Sequence, residues 1–312
     1  MLDIVVSEFM DEAALDGLRS EFEVHYDPTL ADRPRELELL VSAARALIVR
    51  NRTRVQGPLL AAARRLEVVG RLGVGLDNID LDACRARGIE VLPATGANAV
   101  AVAEYVIAAA LVLLRGVFAA TDAMLEGQWP RERLVGREAA RRRMGFVGFG
   151  STARQVASRA AALGMRIAAY DPHLPATDPV WQGVERHETL EGLLAAADVL
   201  SLHVPLTAET RGLIDATALS AMRPGAVLIN TSRGGILDEA ALVEALRAGR
   251  LAGAALDVFA TEPLDRDTAL LFDAAPNLIL TPHIAGVTVE SNERVSAMTA
   301  ANVRKALKRK RA

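Results

Sequence analysis

The chain has 312 residues, 51% of them hydrophobic and 24% charged, with a formal net charge of −3. That balance excludes a disordered or collagen-like chain and gives no reason to expect nucleic acid as a partner. The length suits one large or two ordinary domains, and the single cysteine, Cys84, excludes an internal disulfide framework and suits a reducing, cytoplasmic setting.

The opening stretch Met1–Glu8 is too short in its apolar part to read as a signal peptide, and Asp3–Ser7 within it is a strand candidate. Asp11 is placed to cap a helix running to about Arg19. Further strands are expected at Ala46–Val49, Leu66–Gly70 and Ile89–Leu92. Helices are expected at about Pro58–Arg65 and at Asp80–Arg87, the latter stopped by Gly88. Cys84 falls on that last helix, which reads as a surface helix. Strand–helix alternation of this kind predicts a parallel sheet. A long helix over about Ala99–Glu126 leads out of the unit. It holds the longest apolar run, Tyr105–Leu114, which is well short of the about 20 residues a membrane helix needs, so no membrane partner is expected. The run reads as a buried helix that packs inside the fold or against a second subunit. The arginine-rich span Arg131–Arg143 reads as a solvated connection.

A second alternation begins at Met144-Gly-Phe-Val-Gly-Phe-Gly-Ser-Thr-Ala153, a short strand entering the turn Gly148-x-Gly150-x-x-Ala153 and then a helix. Glycines there let the backbone bend and approach a pyrophosphate, while the helix N-terminus offers free N–H groups and a positive dipole end. The next strand, Arg166–Tyr170, ends at Asp171, close to the roughly 20-residue spacing expected for an acid that binds an adenosine ribose. Four more strands are expected at Val199–Val204, Ala226–Asn230, Ala254–Phe259 and Leu278–Thr281, with a helix over Asp238–Ala248 among the crossovers. The pattern predicts an α/β fold with a doubly wound sheet. The tail from Thr288 to Ala312 is expected to be helical, its cations Lys305–Arg311 suiting a helix C-terminus.

Ligands of open α/β sheets bind beyond the carboxyl ends of the strands. Gly148 and Gly150 follow the first strand of this second unit, Asp171 the second, His203 and Pro205 the third, and Asn230, Thr231, Ser232, Arg233 and Gly234 the fourth. Asp257 and Glu262 follow the fifth, and His283 the sixth. One sheet edge therefore collects an anion-binding turn, an arginine, acids and a histidine. Arg233 suits a carboxylate held in a bidentate fork. His283 suits proton transfer to and from a carbonyl oxygen, and Glu262 beside it favours the imidazolium. The set fits hydride transfer on a 2-keto or 2-hydroxy acid. No metal site is expected.

The segments Gly73–Asp80, Met144–Ala153, Leu202–Thr207, Asn230–Gly235, Asp257–Pro263 and Thr281–Gly286 together resemble the D-isomer-specific 2-hydroxyacid dehydrogenase family over almost the whole chain. The resemblance implies two Rossmann-like doubly wound parallel-sheet domains with a cleft between them. A discontinuous substrate-binding domain would comprise residues 1–98 plus 287–312, and an NAD-binding domain residues 99–286. It implies Arg233, Glu262 and His283 as the catalytic set. It places Gly148, Gly150, Ser151, Thr152, Asp171, His203, Thr210, Thr231, Ser232, Asp257 and Gly286 around NAD. On the substrate side it places Arg50, Asn51, Val74, Gly75, Asn98 and Arg233, with the Val74 and Gly75 N–H groups on the carboxylate. A homodimer is implied. Asp171, with no arginine following it, favours NAD over NADP.

Within the family, an arginine at the Arg50 position implies a substrate with a second anion at C3, such as 3-sulfolactate or 3-phosphoglycerate. The runs Ser7–Glu12 and Val69–Asp80 are similar to sulfolactate dehydrogenases. The alternatives are a glyoxylate/hydroxypyruvate reductase and a non-catalytic NAD(H)-sensing protein of the corepressor type. Glu262, standing where formate dehydrogenases carry glutamine, argues against that relative.

Overall fold

The computed structural model describes residues 2–310, and the chain divides into two compact units. The first takes the residues up to Asn98 and those from Val287 on; the second is Ala99–Gly286. The expected basic tail is described through Lys310, and its last cation, Arg311, lies outside the described residues.

The first unit is built on a five-stranded parallel sheet of β1 (Ile4–Val6), β2 (Val24–Tyr26), β3 (Ala46–Val49), β4 (Val68–Arg71) and β5 (Glu90–Pro93), in the order β2-β1-β3-β4-β5. The central strands β1 and β3 are apolar at successive positions because both faces are covered. Ile4, Val6, Ala46 and Ile48 join one core, with Leu15 and Leu18 of the helix Glu12–Arg19 and Val303 and Leu307 of the helix Val289–Arg309. Val5, Leu47 and Val49 join the other, with Leu37 and Val41 of the helix Pro34–Ala43. Asp11 caps its helix as expected, accepting from the Ala13 and Ala14 N–H groups, a contribution of about 1 kcal/mol.

Two elements of this unit were not anticipated, β2 and the helix Pro34–Ala43. The three residues of β2 are all half-buried and show no clear alternation. The expected surface position of Cys84 is corrected: its helix, Leu81–Ala86, turns the thiol inward, where it is 1% exposed and burial pushes it up from its ordinary value.

The second unit carries a seven-stranded parallel sheet of β6 (Arg143–Val147), β7 (Arg166–Tyr170), β8 (Glu185–Arg186), β9 (Val199–Leu202), β10 (Val227–Asn230), β11 (Gly253–Leu256) and β12 (Leu278–Leu280), in the order β12-β11-β10-β9-β6-β7-β8. The sheet is doubly wound, and the strand order reverses between β6 and β9. The six strands read from the sequence are present, and the two-residue β8 adds an edge. β9 and β11 stop earlier than expected, at Leu202 and Leu256; the next residues, His203 and Asp257, still donate their N–H groups to the Val147 and Asn230 carbonyls of the neighbouring strands.

The expected helix Ala99–Glu126 is shorter. It ends at Arg115, and Gly116 takes φ +63°, a left-handed turn that a glycine adopts without Cβ strain. A 3-10 turn and the helix Thr121–Leu125 follow at a bend of 62°. Much of the apolar run Tyr105–Leu114 is accounted for inside its own unit. Val106, Ala109, Ala110, Leu113 and Leu114 pack with Phe146 and Val156 in one core. Among the described residues no single helix is long and apolar enough to cross a membrane.

Candidate active site and cofactor site

β6 delivers the glycine turn to the point where the strand order of the second sheet reverses. Gly148 has φ +83°, and a Cβ there would lie 2.7 Å from the His203 carbonyl oxygen, so a glycine is required on both counts. Around Gly150, by contrast, a Cβ would meet nothing within 4 Å. That open space stands directly before the helix Ser151–Ala162, whose N-cap makes no side-chain hydrogen bond. The first-turn N–H groups therefore suit an external anion. Asp171, at the end of β7, accepts from the Phe149 N–H at 2.9 Å and from the His173 N–H at 2.9 Å, which ties it to the glycine turn.

Two more observations fit a nucleotide here. Among the described residues, the buried Thr231 hydroxyl oxygen has no hydrogen-bond partner. A buried polar atom left without a partner is rare. Asn230, 1% exposed, shapes the turn around it. Its Oδ1 accepts from the Ser232 N–H at 3.0 Å and the Ser232 hydroxyl at 2.8 Å, and its Nδ2 donates to the Arg233 carbonyl at 3.0 Å. The sequence reading passed over Asn230 as a site residue.

Other expected nucleotide contacts are already engaged within the unit. Thr210 donates to the Pro205 carbonyl and accepts from the Thr207 N–H. The His203 ring lies against Phe146, at 5.7 Å between centroids, with Nε2 2.8 Å from the Ser201 hydroxyl. Burial pushes this imidazole down to about 4, so it is neutral near pH 7. His203 therefore presents its backbone, rather than its ring, to the glycine turn. Ser151 is exposed and Thr152 and Gly286 are half-buried.

The three residues read as catalytic come from consecutive strand ends. Arg233 follows β10, its Nη1 donating to the Ser232 carbonyl at 2.6 Å. Gly234 beside it has no room for a side chain: a Cβ would lie 1.8 Å from the Phe259 carbonyl oxygen. This close pass brings the β10 turn against the segment that carries Glu262. Glu262 Oε2 lies 2.7 Å from His283 Nδ1, and Oε1 accepts from the Phe259 N–H at 3.0 Å. Burial opposes the charge on Glu262. The His283 hydrogen bond, the Phe259 N–H and the positive field of Arg233 outweigh it and hold the carboxyl below its ordinary value. An ionised Glu262 has only acceptors, so Nδ1 carries the proton and Nε2 is the ring atom left for a ligand.

Asp257 shapes the loop that holds His283. It is 1% exposed, and it accepts from the Thr281 hydroxyl at 2.6 Å, the Ile284 N–H at 2.8 Å and the Ala285 N–H at 2.8 Å. Tyr105 extends the chain, its hydroxyl 2.6 Å from that of Thr281. His283 itself sits at φ +52°, a left-handed conformation that a non-glycine residue holds only when its surroundings impose it. Asp257, read from the sequence as a nucleotide contact, holds the loop of the histidine through these bonds. Tyr105 was read only as part of an apolar run, and nothing in its spacing marks the hydroxyl.

The residues expected on the substrate side lie in the first unit, apart from Arg233. Arg50 follows β3 and donates from Nη2 to Asn292 Oδ1 at 2.8 Å, and burial pulls its guanidinium below the ordinary value. Asn51 is exposed, as is Val74; Gly75 and Asn98 are half-buried.

Residues 107–285 match the model of the D-isomer specific 2-hydroxyacid dehydrogenase NAD-binding domain. The chain is 55% identical over 307 residues to a (S)-sulfolactate dehydrogenase of Chromohalobacter salexigens, covering 98% of this chain and 99% of that one. It is 38% identical over 305 residues to a D-3-phosphoglycerate dehydrogenase of Archaeoglobus fulgidus, covering 97% of this chain but 56% of the longer relative. A solved D-lactate dehydrogenase of Aquifex aeolicus, complexed with NAD and lactic acid, superposes with a TM-score of 0.85 at 28% identity, covering 98% of this chain and 96% of that one. The protein is thus an enzyme of NAD-dependent 2-hydroxyacid oxidoreduction, and the chain belongs to the D-isomer specific 2-hydroxyacid dehydrogenase family.

Proposed function

We propose that the substrate is a 2-hydroxy or 2-keto acid with a second anion at C3, of the 3-sulfolactate/3-sulfopyruvate class ahead of 3-phosphoglycerate. The observation that carries this reading is the 55% identity, over 98% of the chain, to a relative named (S)-sulfolactate dehydrogenase. Arg50 supports it by offering a partly buried guanidinium for the C3 anion. The C1 carboxylate goes to the Arg233 fork.

Bound NAD supplies or takes the hydride at C2. In the reducing direction, His283 gives its Nε2 proton to the C2 oxygen and is left neutral, regaining a proton from solvent. In oxidation it takes the proton back. Glu262 keeps the ring oriented through Nδ1. Arg233 polarises the carbonyl and fixes the carboxylate. In this reading Gly148, Gly150, Ser151 and Thr152 surround the pyrophosphate and Asp171 holds the adenosine ribose. Thr210, Thr231, Ser232, Asp257, Gly286 and the backbone at His203 line the rest of the nucleotide site. The reading includes a homodimer in the cytoplasm without nucleic-acid or membrane partners. The net charge of −3 argues against a nucleic-acid partner and the single cysteine suits a reducing compartment, and size-exclusion chromatography with light scattering tests the dimer.

The test of the substrate is turnover of NADH with 3-sulfopyruvate, 3-phosphohydroxypyruvate, hydroxypyruvate and glyoxylate. 3-Sulfopyruvate is expected to give the highest kcat/KM, at least about tenfold above the two acids without a C3 anion, since a hydrogen-bonded charge pair contributes about 1.5–3 kcal/mol. Equal efficiency across the panel overturns the reading.

A further inference from the structure

The sheet order of the first unit reverses between β1 and β3, and the segments after these two strands, Ser7–Asp11 and Arg50–Thr53, therefore flank its switch point, where open α/β sheets take ligands. What fills this point is a carboxylate of the chain itself. Glu8, 4% exposed, accepts from four successive backbone N–H groups: Arg50 at 2.8 Å and Thr53 at 3.0 Å on Oε1, Asn51 at 3.3 Å and Arg52 at 3.1 Å on Oε2. Converging N–H groups of this kind form an anion nest. Here the nest is occupied, so an incoming anion must be met by a side chain instead.

The other half of the loop's backbone is also fixed. Asn78 Nδ2 donates to the Thr53 carbonyl at 2.7 Å and the Arg50 carbonyl at 3.2 Å. The Ser7 and Thr53 hydroxyls lie 2.9 Å apart. Arg50 thus rises from a loop whose four N–H groups and two of whose carbonyls are engaged. Its guanidinium is then caught at Nη2 by Asn292, near the start of the helix Val289–Arg309. The acceptor is an amide oxygen. It takes one N–H without neutralising the cation, and leaves the rest of the fork for a ligand. A carboxylate at the same place would pair with Arg50 and cancel the charge that an anion needs. An arginine already held loses less side-chain freedom on binding.

We propose that Asn292 is a positioning residue that sets the preference for substrates with a distal anion, by fixing Arg50 on the loop that Glu8 and Asn78 lock. The inference rests on the distal-anion reading of the substrate. The test compares wild type, Asn292→Ala and Asn292→Asp by steady-state kinetics with NADH. Each is assayed on 3-sulfopyruvate and on hydroxypyruvate, which lacks the distal charge, and thermal unfolding of each variant is recorded alongside. In Asn292→Ala the ratio of KM for 3-sulfopyruvate to KM for hydroxypyruvate is expected to rise about tenfold. In Asn292→Asp, which keeps the side chain's shape, it is expected to rise further. The kcat ratio is expected to hold within about twofold, because the chemistry of His283 is untouched. A wild type that prefers 3-sulfopyruvate, with variants whose KM values move equally for both substrates, overturns the inference and leaves the substrate reading standing. Should Asn292→Ala fail to fold, an unchanged ratio in Asn292→Asp overturns it alone. A wild type indifferent to the distal charge overturns both.

Discussion

Two carboxylates, the exposed Glu262 and the buried Glu8, follow strand ends at the ligand-binding edges of the two sheets, and they are used in opposite ways. Glu262 divides its oxygens between one backbone N–H and the ring of His283. Glu8 gives both oxygens to backbone N–H groups. The first carboxylate therefore reaches an imidazole ring, and the second fixes the shape of a loop. Accepting from backbone N–H groups does not by itself distinguish a candidate catalytic acid from a structural one; the identity of the remaining partner does.

The sharpest way to break the comparison is to remove the titrating partner. His283→Ala is expected to lower kcat about 10²–10⁴-fold, the range for loss of a positioned acid–base group, while NADH binding followed by fluorescence stays close to wild type. Retained turnover would remove His283 from the chemistry.

Glu8→Gln tests the structural side. An amide in that place turns a donor toward backbone donors, and about 3 kcal/mol of stability is expected to be lost from the first unit, read by denaturant unfolding. Loss of kcat on hydroxypyruvate with stability intact would instead make Glu8 part of the chemistry.

Asp171→Ala is expected to narrow the kcat/KM preference for NADH over NADPH by about tenfold, because the carboxylate suits a ribose 2′-OH and repels a 2′-phosphate. An unchanged ratio places cofactor selection elsewhere.

The pH dependence of the pair follows from the lowered value of Glu262. A carboxyl whose folded value lies below its unfolded one contributes stability that is present above the unfolded value, near 4.5, and is lost as pH falls through the lower folded value. Wild type is thus expected to keep the Glu262–His283 contribution at pH 5 and to lose it below pH 4.5. Glu262→Gln should lack that acid-side loss in urea unfolding. A loss centred above pH 5 in wild type would contradict the ionised pair.

The smallest effect is expected from Tyr105→Phe. It removes one hydroxyl from the chain Tyr105–Thr281–Asp257 and should cost about 1 kcal/mol in stability, with kcat reduced less than tenfold. A larger loss of kcat at unchanged stability would mean that His283 depends on this chain more closely than the geometry indicates.

Much of the second unit was legible in the sequence. Its strands are apolar runs ended by polar residues, and Gly148, Asp171, Arg233, Glu262 and His283 each stand within a few residues of such an end. The first unit was less so. β2 has only three half-buried residues, and the helix after Ala99 was read too long because Gly116 lies within an otherwise helical pattern. Asp257 was legible as a strand-end acid, but its task of bracing the histidine loop was not, since its three donors come from residues 281–285.

The sequence by itself determined the fold class and singled out the candidate chemical set, because both rest on local signals: hydrophobic period, glycine turns, and which residue follows which strand. Tertiary structure alone decided the partners. Glu8 meets residues more than forty positions away, and Arg50 meets Asn292 from the far end of the chain. Such pairings depend on strand order and crossover handedness, which bring distant segments to one switch point and leave no periodic trace in the chain.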